Sequence, residues 1–289
     1  MRLKIKNMHF SYGEERAIDD ISLEVERGEF VGLIGPNGSG KSTLLKALYR
    51  AIQPDGGAAT LDGQDLLSMS SKKVARHVSV LGQENCIPFG FTVEEIVAMG
   101  RTPYKKLFEG DSPDDRWMVN NALEHLGMEK MAGRNFLHLS GGEKQRVLLA
   151  RVIAQDTDFI ILDEPTNHLD VGYQIQIFDL VKRLDATVLA AMHDLNMAAS
   201  YCDRIYAIKD GKIYASGTPE EVLTPENIFE LYGVHAVVTR QEFTGLLNVS
   251  FLPERFLQRG NLYETPRKNT SFSRTVPSIN VPAVAAAGL

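Results

Sequence analysis

A chain of 289 residues with 44% hydrophobic side chains carries enough apolar material for a sizeable core, as one large domain or two modest ones. Its formal net charge of -6 and pI near 5.7 exclude a protein whose main task is to hold nucleic-acid backbones, since that work needs a strong basic excess. Cys86 and Cys202 form neither a CxxC pair nor a cluster with histidines, so they read as isolated thiols of a reducing compartment. The basic start Met1 to Lys6 has no apolar region behind it, and no stretch reaches the roughly 18 consecutive apolar residues of a membrane span; work at a membrane requires an anchoring partner.

Leu3 to Ile5 and Ile21 to Val25 alternate apolar with polar residues, which predicts half-buried strands and an antiparallel start. Phe30 to Ile34 is apolar without alternation, the pattern of a strand covered on both faces of a parallel sheet. Gly35-Pro36-Asn37-Gly38-Ser39-Gly40-Lys41-Ser42-Thr43 follows it and fits G-x-x-x-x-G-K-[ST], with the helical pattern Leu44 to Leu48 behind. Glycines let successive amides curl inward around an anion, and the helix adds its positive end. Lys41 then reaches the β- and γ-phosphates of a nucleotide and the Ser42 hydroxyl ligates Mg²⁺.

A strand is predicted at His77 to Leu81, and the Pro-punctuated segment from Cys86 to Asn135 reads as a helical insertion. Lys144 to Ala154 has one apolar face beside Arg146, Arg151 and Gln155, so a helix is predicted there. Phe159 to Leu162 is a second buried strand, and Asp163-Glu164 places two carboxylates at its C-terminal edge, where α/β sheets bind ligands. Asp163 suits the Mg²⁺ shell, and Glu164 the general base that polarises an attacking water. Thr187 to Met192 is the third such strand. Asp210-Gly211 between two apolar runs predicts a hairpin, and Thr218-Pro219-Glu220-Glu221 a capped helix start. Beyond Pro253 the composition turns to Ser, Thr, Asn and Pro, and residues 261 to 289 are expected to be mobile.

Leu139-Ser140-Gly141-Gly142-Glu143-Lys144-Gln145-Arg146, followed by Val147 to Arg151, resembles the ATP-binding subunits of ABC transporters, whose signature is LSGGQ before a basic helix. Physically this is a second anion site: the Ser140 hydroxyl, the Gly141 and Gly142 amides, and the dipole of a helix from Glu143. Glu143 stands where the family most often has Gln. The resemblance covers about residues 1 to 240 and implies an α/β P-loop NTPase core with a mainly parallel sheet. An N-terminal antiparallel β subdomain and a helical subdomain at about 86–135 belong to that domain, and 241–289 is a C-terminal extension.

The resemblance further implies that Leu139 to Glu143 act in trans, completing the ATP site of the second copy in a homodimer. Tyr12 is similar to the aromatic that stacks on adenine, Gln83 to the Q-loop glutamine that senses the γ-phosphate and Mg²⁺, and His193 to the switch histidine. Leu169-Asp170 resembles the D-loop that crosses between protomers. Phe91 to Tyr104, with Thr166 to Asp170, looks like the importer branch for iron–siderophore complexes, haem and vitamin B12. Integral permease subunits, indirectly a substrate-binding protein, and a peripheral place on the cytoplasmic face of the cell membrane follow from it. A soluble ABC ATPase of DNA repair needs long coiled-coil insertions, and a translation factor two cradles; neither is present. An exporter remains a reading of the same motor.

Overall fold

The computed structural model describes residues 1–82, 90–106, 109–165, 170–253 and 255. Two compact units divide the chain, Met1–Leu252 and Pro253–Leu289, and the second contributes only Pro253 and Arg255 to the described residues.

Strands β1 (Leu3–Tyr12) and β2 (Glu15–Val25) pair antiparallel, with Leu3 opposite Val25 and Ile5 opposite Leu23. Alternation marks only parts of these long strands because the ladder shifts register between Ile5 and Phe10. Asn7 (φ 48°) and Asp20 (φ 63°) take left-handed backbone there, and Asn7 Nδ2 donates to Asp20 Oδ1 at 2.7 Å. Next, β3 (Phe30–Ile34), buried throughout, runs into α1 (Lys41–Leu48). β4 (Gly56–Leu61) and β5 (Gln64–Asp65) complete an antiparallel sheet of order β2-β1-β4-β5. The short α2 (Ser71–Val74) then leads to β6 (Val78–Leu81).

A helical layer follows: α3 (Val93–Ala98), a 3-10 turn at Met99–Tyr104, α4 (Pro113–His125) and α5 (Gly141–Gln155). Capping boxes start α3 and α4, Thr92 with Glu95 and Ser112 with Asp115. Ile96, Val97, Val119, Ala122 and Leu123 share one core with Val147 and Leu148 of α5. Arg101 pins the layer down: its Nε lies 2.9 Å from Asp115 Oδ1, and its Nη1 donates to the Ala154 carbonyl at 2.8 Å.

β7 (Phe159–Asp163), α6 (Val171–Arg183), β8 (Thr187–Ala191), α7 (Leu195–Tyr201), β9 (Arg204–Lys209) and β10 (Lys212–Gly217) finish the main sheet, whose order is β10-β9-β3-β8-β7-β6. Its neighbours are parallel from β9 to β6; β10 joins antiparallel through Asp210 (φ 50°) and Gly211 (φ 74°), the positive pair a two-residue hairpin needs. Phe30, Ile160, Leu162, Val188 and Ala190 face the helical layer, while Val31, Leu33, Phe159, Ile161, Leu189 and Ala191 face α1 and the antiparallel sheet. Burial on both sides explains why these strands read as unbroken apolar runs.

Thr218 and Thr224 cap α8 (Pro219–Val222) and α9 (Pro225–Tyr232), each with proline in the first turn. β11 (Ala236–Arg240) and β12 (Leu247–Phe251) form a separate hairpin that carries the first unit past residue 240. Val249 of β12 is 4% exposed and belongs to the same core as β8.

Candidate active site

Leu33, Ala191 and Asp163 lie at one level across the adjacent strands β3, β8 and β7. The segments that leave these strands, the Gly35–Thr43 loop, Met192-His193 and Glu164, therefore emerge along one edge of the sheet, the edge where open α/β sheets take ligands.

Backbone crowding dictates the loop's shape. A Cβ on Gly35 (φ 147°) would stand 2.0 Å from the Ile208 carbonyl oxygen, and one on Gly40 (φ 104°) 2.3 Å from that of Ala17, so both positions admit only glycine. Gly40 is the N-cap of α1 without a side-chain cap, which leaves first-turn amides facing the loop. Lys41 curls back over it, with Nζ donating to the carbonyls of Gly35 at 2.8 Å and Pro36 at 2.9 Å. Burial lowers the Lys41 pKa, opposed by the nearby Glu164 and Asp163. Asn37 and Gly38 are exposed, Pro36, Ser42 and Thr43 half-buried, and the buried Ser39 hydroxyl has no hydrogen-bond partner among the described residues.

Ser42 donates its hydroxyl to Asp163 Oδ1 at 2.8 Å, linking the loop to β7. Burial raises the Asp163 pKa, and the Ser42 hydrogen bond works against that rise. A hydroxyl and a carboxylate held together, with a lysine near, form a hard-oxygen donor set. The two oxygen donors of this pair suit a hard cation such as Mg²⁺, which keeps several of its waters.

Glu164 follows directly in left-handed backbone, φ 53°, a conformation that costs an L-residue about 1 kcal/mol and turns its side chain aside from Asp163's. Its amide donates to the Ala191 carbonyl at 3.3 Å, and its side chain, 11% exposed, brings Oε1 to 2.5 Å from Nε2 of His193. A cavity of about 20 Å³ adjoins the pair, with Pro165, Phe178, Asp194 and Met197 in its wall.

Leu139 to Glu143 lie at the N-terminal end of α5, the helix that precedes β7. The helix predicted from Lys144 begins at Gly141, because Ser140 is its N-cap and draws both glycines into the first turn. Ser140 gives both its amide and its hydroxyl to Glu143 Oε2 at 2.8 Å, and its Oγ accepts the Glu143 amide at 3.4 Å. These bonds, the backbone one first, hold the Glu143 carboxyl below its usual range. Glu143, the departure from the family's common Gln, thus completes a capping box. Gly141 is open, whereas a Cβ on Gly142 would stand 2.7 Å from the half-buried Tyr173 ring of α6, which would have to shift to admit it.

Tyr12 ends β1 half-exposed and edge-on to Phe10 at 4.8 Å; Asp170 is the exposed N-cap residue of α6. Gln83 lies outside the described residues, as do Cys86, Thr166 to Leu169 and the tail from 256. Three contacts escaped the sequence reading: Tyr173 against Gly142, Gln145 Nε2 donating to the Pro165 carbonyl at 2.7 Å, and Asn196 pairing with Val249. None joins residues near in sequence, so no local pattern announces them.

Comparison with known proteins bears on this geometry. The family described as ABC transporter matches residues 18–167. The petrobactin import ATP-binding protein FpuD of Bacillus anthracis is 41% identical over 247 residues, 84% of this chain and 90% of that protein. Ferric enterobactin transport ATP-binding protein FepC of Escherichia coli (strain K12) is 37% identical over 84% of this chain and 92% of its own length. Cobalamin import ATP-binding protein BtuD of Halobacterium salinarum is 38% identical over 88% of this chain, which spans 65% of that protein. Among solved structures, the ADP conformation of the ABC cassette MJ1267 superposes with TM-score 0.73 at 27% identity, covering 80% of this chain and 98% of that one. A dimeric post-hydrolysis state of the cassette MJ0796 with ADP and Pi gives 0.66 at 30%, covering 75% and 98%. With the phosphate loop, the paired carboxylates and the capped signature turn on one scaffold, the chain belongs to the ABC transporter family as one of its ATP-binding, ATP-hydrolysing subunits.

Proposed function

We propose that this subunit powers an importer of a metal chelate, an iron(III)–siderophore complex first of all. Gly35 to Thr43 cradle the phosphates of ATP, with Lys41 leaving its two carbonyl partners for the β- and γ-phosphates and Tyr12 stacking on adenine. Ser42 and Asp163 hold Mg²⁺, directly or through water, with Gln83 as a further ligand; bound Mg²⁺ offsets phosphate charge. Glu164 accepts a proton from the attacking water, and His193 contacts the γ-phosphate and holds the carboxylate in line. The approach of His193 to Glu164 beside the Ser42–Asp163 pair is the observation that carries this reading.

Two copies close around ATP, each offering Leu139 to Glu143 to the other's nucleotide, with Asp170 near the crossing. ATP favours closure because the signature turns meet phosphate only in the closed state, and hydrolysis releases it. The MJ0796 cassette, solved as a dimer, supports this. Permease subunits convert closure into transport at the cytoplasmic face of the membrane, fed by a substrate-binding protein. The described residues include no helix long and apolar enough to cross a membrane, which agrees with a peripheral place.

The cargo assignment leans on the names of FpuD and FepC, and BtuD supports cobalamin as a second reading. The test is co-purification with the membrane partner, reconstitution in vesicles, and transport of ferric siderophores against cobalamin. Stimulated ATP-dependent uptake of a ferric siderophore supports the proposal; uptake of cobalamin alone replaces its cargo, and ATP hydrolysis indifferent to any membrane partner overturns its transport role.

A further inference from the structure

The segment after His193 is fixed at two points. Asp194 Oδ1 accepts the amides of Asn196 at 2.8 Å and Met197 at 3.1 Å, capping α7. Asn196 in turn makes a reciprocal pair with one residue of the C-terminal hairpin: its Oδ1 accepts the Val249 amide at 2.7 Å, and its Nδ2 donates to the Val249 carbonyl at 3.2 Å. Among the described residues β12 pairs only with β11, and Asn196 bonds both backbone groups of Val249 on its other edge, beside a buried side chain. One carboxamide satisfies both, as a neighbouring strand would. The helix turn so clamped also supplies Asp194 and Met197 to the wall of the small cavity beside Glu164 and His193.

We propose that Asn196 is a positioning residue for ATP hydrolysis: by locking the first turn of α7 to Val249 it sets His193 against Glu164, and the hairpin from Ala236 to Phe251 becomes a structural part of the catalytic edge. The proposal rests on the assignment of His193 to the γ-phosphate. Neither clamp bond reaches the phosphate loop, so the clamp acts on turnover and not on nucleotide capture. Val249, 53 residues along the chain from Asn196, thereby bears on the chemistry.

Steady-state ATPase kinetics of the full chain test this, with wild type beside His193→Ala, Asn196→Ala and Asn196→Asp, each checked by denaturant unfolding and by the NMR signal of the His193 ring. Expected is a fall of about tenfold or more in kcat for Asn196→Ala with KM for ATP within about twofold, since small misplacements of a catalytic group cost rate. The His193 resonance should move. Asn196→Asp, which keeps the acceptor for the Val249 amide, should recover part of the rate, and it stands in if the alanine variant does not fold. Wild-type kcat in a folded Asn196 variant while His193→Ala is inactive overturns the proposal; so does a loss of kcat with the His193 resonance unmoved. Full turnover by His193→Ala instead overturns the site assignment beneath it.

Discussion

Glu164 leaves β7 in left-handed backbone, and that turn brings its Oε1 to 2.5 Å from His193 Nε2, at the end of the neighbouring strand β8. Asp163, one residue earlier, bonds Ser42 on the phosphate loop instead. Two consecutive carboxylates thus serve different partners, one toward the loop hydroxyl and one toward the imidazole.

Replacement of Glu164 by Gln keeps the shape and removes the proton acceptor. Turnover should fall by roughly 10²–10⁴-fold, the usual worth of general base catalysis, while ATP affinity measured by equilibrium binding stays near wild type. The same variant should accumulate as a dimer in ATP by analytical ultracentrifugation. Near-normal hydrolysis would remove Glu164 from the base role.

Asp163→Asn and Ser42→Ala address the metal. Wild type should bind ATP more tightly in Mg²⁺ than in a chelator, and the two variants should lose most of that difference. Titration calorimetry with and without Mg²⁺ reads this directly; an unchanged difference in both variants would place the metal elsewhere.

The adjacent signature glycines should behave differently. Gly142→Ala brings a Cβ against the Tyr173 ring, and because that half-buried ring can shift the cost should be about 1 kcal/mol, the low end for overpacking, visible as a lower unfolding midpoint. Gly141→Ala meets open space and should leave that midpoint within about 0.5 kcal/mol of wild type apart from helix propensity, which alanine improves. If the signature acts across the dimer, Gly141→Ala nevertheless lowers ATPase activity.

Acid stability should report the Arg101–Asp115 pair. Burial pushes the Asp115 carboxyl up, but the Arg101 and Ser112 hydrogen bonds outweigh it and hold it at about 2, below the unfolded value of 3.8. The resulting stability is complete above about pH 4 and is lost as pH falls toward 2. In Asp115→Asn that decrement should be missing from the pH dependence of denaturant unfolding. Asp115→Ala leaves Arg101 only the Ala154 carbonyl and the Tyr104 ring and should lower stability at neutral pH by more than Asp115→Asn.

Three buried strands were legible as unbroken apolar runs because each is covered on both faces, and the β9–β10 hairpin because Asp210-Gly211 suits a turn with two positive φ angles. The full lengths of β1 and β2 were not, since bulges at Asn7 and Asp20 break the period of two. α5 starts before both Glu143 and the apolar face at Lys144 that mark it in the sequence: glycine disfavours helix interiors, and only the Ser140–Glu143 capping box brings Gly141 and Gly142 inside. For the site, local spacing marked the loop and Asp163-Glu164, while the signature turn and His193 stood out through resemblance.

Local chemistry, then, was written in the sequence by itself: a glycine-rich turn between strand and helix, two acids ending a buried strand, and a threonine, Thr218, placed to cap a helix. Only the tertiary structure decided which of these meet. Parallel pairing sets Leu33, Ala191 and Asp163 level, and that register brings Ser42 to Asp163 and His193 to Glu164 from segments far apart in the chain. The same packing puts Tyr173 against Gly142 and Asn196 against Val249. Such contacts are made by burial and backbone pairing across the whole domain, so no local stretch of sequence contains them.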